Sequence, residues 1–116
     1  MQLSDLENWK LEDILYRMPD YFIPEEAEGV QMTAQFRLRG RESGTWCMHI
    51  ADSRCWIEEG ECMKADVSLS AKSEDVRRIL RGDVNPLQIL LRGLVKVDGD
   101  TGAALKMGSF FRNPSH

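Results

Sequence analysis

Long apolar runs are missing from these 116 residues. The uninterrupted apolar stretches are as short as Tyr21-Phe22-Ile23 and Ile89-Leu90-Leu91, far below the ~20 residues of a membrane-spanning helix. No transmembrane helix is expected. The start, Met1-Gln2-Leu3-Ser4-Asp5, lacks the basic and then apolar regions of a secretory signal. The end, Asn113-Pro114-Ser115-His116, is neither a peroxisomal address nor a lipidation box, so a cytoplasmic location is the expectation. Cysteine is scarce: Cys47, Cys55 and Cys62 cannot all pair within one chain, and none of their spacings is C-x-x-C. They read as reduced thiols. Positive charge is in deficit, with 15 Lys and Arg against 19 Asp and Glu and a net charge of -4. With a sequence pI near 5.2, nucleic acid is not expected as a partner.

Catalytic signatures are missing too. The chain has no Gly-Lys dipeptide, hence no Walker loop, and neither G-x-G-x-x-G nor G-x-S-x-G. Asp98-Gly99-Asp100 begins like a calcium loop, but Ala103 and Ser109 stand where that loop needs glycine and glutamate. Asp100 reads instead as a helix cap. Cys47, His49, Cys55 and Cys62 invite zinc, yet strand alternation puts Cys47 and His49 on one face and Cys55 on the other, out of reach of one tetrahedral ion. A Cys47-His49 nucleophilic pair has no orienting third group and no oxyanion donors. No enzymatic activity, metal or cofactor is expected.

What is present is a chain 42% apolar and 29% charged, which suits one soluble domain with its own core. Ser4-Asp5-Leu6-Glu7 forms a capping box, and Leu11, Ile14, Leu15, Met18 and Phe22 follow it at helical spacing. Pro19 breaks that helix, and Pro24 starts a short turn ended by Gly29. From residue 30 to 39, Val30, Met32, Ala34, Phe36 and Leu38 alternate with Gln31, Thr33, Gln35, Arg37 and Arg39, as in a strand with one wet face. A turn at Asp52-Ser53 would set Ile50 opposite Cys55, His49 opposite Trp56 and Met48 opposite Ile57, with the imidazole stacked on the indole. Val67 and Leu69 mark another strand. Ser73 caps a helix with Val76, Ile79 and Leu80 inward and Gly82 past its end, and Asn85-Pro86 opens a second with Leu87, Leu90 and Leu91 inward. Val95 and Val97 mark the last strand, and Asp100 caps a final helix whose Ala103, Met107, Phe110 and Phe111 share a stripe. The order implies α+β architecture, a single mostly antiparallel sheet covered on one face by helices. Arg37, Arg39 and Arg41, with Arg77, Arg78, Arg81 and Arg92, read as solvated faces, the alternative being transient docking to an anionic membrane surface.

Several blocks stand in a telling order: Met18-Pro19-Asp20-Tyr21-Phe22, the strand ending at Leu38, Trp46, Ala65-Asp66-Val67-Ser68-Leu69-Ser70, Gly82-Asp83-Val84-Asn85-Pro86, then Gly93-Leu94-Val95-Lys96-Val97-Asp98-Gly99-Asp100 with Ala103-Ala104-Leu105-Lys106. From about residue 18 to 111 the sequence resembles the sterol carrier protein type 2 family of small lipid-binding domains. The resemblance implies a five-stranded sheet and helices enclosing an apolar tunnel for a sterol, fatty acyl or isoprenoid-type lipid, without catalysis. It makes residues 1–116 one lipid-binding domain, with an N-terminal helix over 4–18, a core over 30–99 and a lid helix over 100–111. The side chains expected at the lipid are Phe36, Leu38, Trp46, Met48 and Ile50 from the sheet, and Leu87, Leu90, Leu91, Leu105, Met107, Phe110 and Phe111 from helices. Leu94 departs from the polar residue usual in the family. With Cys47, His49 and Trp56 it makes the outer face suit a homodimer or protein partner. Two functional readings follow: binding and transfer or presentation of lipid, or an accessory subunit of a lipid-modifying pathway such as quinone synthesis, its tunnel closed.

Overall fold

Periodicity switches along the chain, and the elements follow it. In the computed structural model, which describes residues 9–81 and 86–112, helix α1 spans Leu11–Arg17. Acidic Glu12 and Asp13 sit in its first turn and Arg17 in its last, each favourable to the helix dipole. The capping box at residues 4–7 lies outside the described residues, as do Gly82 and the segment 83–85. Pro19 stops the helix in a 3-10 turn over Met18–Tyr21, and Pro24 begins another over Pro24–Ala27.

Strand β1 covers Met32–Arg39 and β2 covers Gly44–Ala51. Asp52 and Ser53, at φ 52 and 58, both lie in the left-handed region and make the two-residue turn whose twist matches the right-handed twist of the flanking strands. It leads into β3 (Arg54–Glu59), and the register pairs Ile50 with Cys55, His49 with Trp56 and Met48 with Ile57, as the sequence predicts. Strand β4 (Val67–Lys72), helix α2 (Ser73–Arg81), helix α3 (Pro86–Leu91), strand β5 (Val95–Gly99) and helix α4 (Thr101–Gly108) complete the order. Among the described residues the strands form one five-stranded sheet in the order β3-β2-β1-β4-β5. Three of its pairings are antiparallel, and β1 pairs β4 in parallel.

This register sorts the sheet's two faces. Phe36 opposes Trp46 and Leu69, and Leu69 opposes Val97, so one face is apolar across the sheet and carries the helices. Phe22, Met32, Ala34, Met48, Ile50, Val67, Met107 and Phe110 form its buried cluster. The opposite face carries Thr33, Gln35, Cys47, His49 and Trp56. The imidazole of His49 stacks on Trp56 with centroids 5.0 Å apart and planes 11° from parallel, and its Nε2 lies 3.4 Å from Glu58 Oε2.

The expectation of three reduced thiols is corrected on this outer face. Cys47 and Cys62 form a disulfide, their Cα atoms 5.2 Å apart. The segment 60–66 folds back over the sheet, where Cys62 N–H donates to Gln35 Oε1 at 3.0 Å and Thr33 Oγ1 donates to Lys64 O at 2.8 Å. That gives the side-chain carbonyl of buried Gln35 a donor and brings two thiols fifteen residues apart into bonding range. Cys55 lies on the helix-bearing side of the sheet and stays unpaired. Asp100 caps α4, accepting from Ala103 N–H at 3.0 Å. Ser73, expected as a cap, instead accepts from Glu42 N–H at 3.2 Å and donates to Glu74 Oε1.

Candidate binding cavity

On the β1-β4-β5 half of the inner face the helices stand off from the sheet. A cavity of about 330 Å³ lies there. Its floor is Phe36 and Leu38 of β1, Leu69 and Ala71 of β4, and Val95 of β5. Its roof is Leu11, Ile14 and Leu15 of α1 with Val76 and Ile79 of α2. Met18, Tyr21 and Phe111 close one end. That end is built by a short pairing of two distant segments. Ile23 N–H donates to Phe110 O and Arg112 N–H to Tyr21 O, each at 2.7 Å, and Phe22 and Phe111 meet edge to face at 5.7 Å.

The polar groups gather at the rim. Arg17 and Arg112 border the cavity with Trp9, the Arg17 guanidinium lying 4.9 Å over the Trp9 ring. Arg37 also borders it through its place on β1, but its guanidinium reaches Glu61 at 2.8 Å, a residue of the segment on the outer face.

The roof is fastened by a half-buried ion pair. Arg77 of α2 donates to both carboxylate oxygens of Glu42, at 2.8 and 2.9 Å, and to Trp9 O at 2.6 Å. Glu42 Oε1 also accepts from Leu11 N–H at 2.8 Å, supplying the cap that Lys10 does not give α1. The Arg77 hydrogen bond holds the Glu42 carboxyl below its ordinary range, against the opposing effect of its burial.

Of the side chains expected at a ligand, Phe36, Leu38 and Phe111 line the cavity. Trp46, Met48, Ile50, Met107 and Phe110 are buried, and all but Trp46 belong to the packed cluster beside the cavity. Leu91 and Leu105 are 76% and 65% exposed. The side chains of Leu87 and Leu90, in α3, lie outside the described residues. The α1 residues Leu11, Ile14 and Leu15 line the cavity without being among the expected ligand residues: their stripe is legible as a core face, but nothing in the spacing says that this face is held off the sheet. Likewise Leu69, Val76, Ile79 and Val95 show ordinary strand and helix patterns.

A family model described as the SCP-2 sterol transfer family matches residues 11–112. Hydroxysteroid dehydrogenase-like protein 2 of Xenopus laevis is 34% identical over 84 residues, 72% of this chain and 20% of that protein. The chain thus spans about a fifth of the curated relative it matches. Two solved structures share the fold. Sterol carrier protein domain 2 of Helicoverpa armigera superposes with a TM-score of 0.67 at 23% identity, over 87% of this chain and 82% of that one. Palmitated SCP2L2 of Aedes aegypti gives 0.67 at 17% identity, over 86% and 92%.

Proposed function

The chain belongs to the SCP-2 sterol transfer family, and from that premise we propose that it takes the apolar tail of a lipid into the cavity beneath α1 and α2 and transfers or presents it without covalent chemistry. The observation that carries this reading is the apolar lining of a 330 Å³ space next to a buried apolar cluster. Left to water, so apolar a lining forgoes the roughly 25 cal/mol per Å² that burial of apolar surface returns. A bound tail recovers it, at roughly 0.8 kcal/mol per buried methylene. Arg17 and Arg112 at the rim suit an acidic headgroup, which favours a long-chain fatty acid over a sterol. The palmitate on the Aedes aegypti relative agrees with that class.

The binding residues in this reading are Phe36, Leu38 and Phe111 with Leu11, Ile14, Leu15 and Leu69. Native mass spectrometry of the purified chain, alone and after incubation with a long-chain fatty acid, should show a one-to-one adduct. Ile14→Asp, which buries a charge in the roof, should weaken binding of a fluorescent fatty acid at least about tenfold. Leu105→Asp, on an exposed site, should leave it unchanged. A chain that takes up neither fatty acid, sterol nor isoprenoid overturns the proposal.

A further inference from the structure

Strand β3 is an edge: among the described residues it pairs with β2 alone. Antiparallel neighbours alternate between pairs that exchange both backbone hydrogen bonds and pairs that exchange none. The phase is set at both ends of the hairpin. The two-residue turn closes on Ala51 and Arg54, and Gly60 N–H donates to Thr45 O at 2.8 Å. Arg54, Trp56 and Glu58 therefore bond to β2, while the N–H and C=O groups of Cys55, Ile57 and Glu59 point out of the sheet.

A second copy of β3 fits this edge better than an arbitrary strand. Antiparallel extension requires that opposed residues share a face and that outward-pointing groups meet. The register centred on Trp56 does both, setting Cys55 against Ile57 of the second copy and Ile57 against its Cys55. It also sets Arg54 opposite Glu58 of the second copy on the outer face, twice by symmetry, where opposite charges attract across strands. Shifting the centre to Cys55 would put Glu58 against Asp52, and shifting it to Ile57 would put Arg54 against Gly60. Only the Trp56-centred register pairs the charges. Charged edges ordinarily keep strands apart, but this edge is self-complementary.

Trp56 supplies the apolar centre. It is 40% exposed although already stacked on His49. At the two-fold axis it would meet its symmetry mate as a close, unbonded pair, making a row of four rings across the joined outer faces. We infer that the chain forms an isologous dimer through β3, continuing two five-stranded sheets into one of ten strands. The cavity floor on β1, β4 and β5 is separated from this edge by β2, whereas α1 and the turn over Met18–Tyr21, which line the same cavity, pack against β3.

Sedimentation velocity on the 116-residue chain and its variants tests this. The chain should sediment as a concentration-dependent dimer. Arg54→Glu should raise the dissociation constant at least about tenfold. The double variant Arg54→Glu/Glu58→Arg, which restores the pairing with signs exchanged, should return it to within about threefold of the parent. Trp56→Cys should cross-link two chains under oxidation. Far-ultraviolet circular dichroism confirms that each variant is folded. A monomer at millimolar concentration, or a dimer indifferent to Arg54→Glu, overturns the inference.

Discussion

Two glycines set opposite expectations for the same substitution. Gly99 sits at φ +98, and a Cβ there would lie 2.6 Å from the backbone oxygen of Asp66. Gly99→Ala must strain the backbone and push β5 from β4, so a loss of about 2 kcal/mol or more is expected in urea unfolding. Gly108 closes α4 with open space where a Cβ would stand, and Gly108→Ala should add about 0.5–1 kcal/mol. At Cys55 burial pushes the thiol up to about 11, so it stays protonated at neutral pH and is a poor nucleophile. Iodoacetamide should modify it in the native chain far more slowly than in the unfolded chain, as read by mass spectrometry. Its inward position was legible from alternation alone, whereas the Cys47 to Cys62 bridge was not. Cys62 lies in no periodic element, so nothing local says that its segment recrosses the sheet.

Among the elements, α1 depends most on a residue outside itself. Its capping acceptor is Glu42, in the turn between β1 and β2. The folded carboxyl lies below the ordinary 4.5, chiefly through the Arg77 hydrogen bond, so the unfolded state takes up the proton more readily. This contribution is therefore present above the unfolded value and disappears as pH falls through the folded one. Glu42→Gln should cost about 1–3 kcal/mol at neutral pH and flatten the loss of stability on acidification, measured by denaturant unfolding across the acid range. Elements with a single clear period were legible: the β1 alternation, the β2-β3 register with its His49 and Trp56 stack, and the Asp100 cap. The roof was not, because a helix stripe that packs and one that spans a cavity carry the same pattern; only the distant Glu42 and Arg77 clamp separates them.

For the whole molecule, ligand binding and stability should be linked. If the cavity binds a fatty acid only when folded, ligand at a hundred times its dissociation constant adds about 2.7 kcal/mol, visible as a rise in the thermal midpoint that Ile14→Asp should abolish. The architecture also bears on how the site comes into being. The β2-β3 hairpin needs only local contacts, but the cavity floor straddles the parallel seam between β1 and β4, where Ala34 meets Val67 and Leu38 meets Ala71. Such a junction forms only after a long loop has closed. Folding therefore reaches the lipid site late, and a nascent chain has its hairpin before it has anywhere to put a lipid.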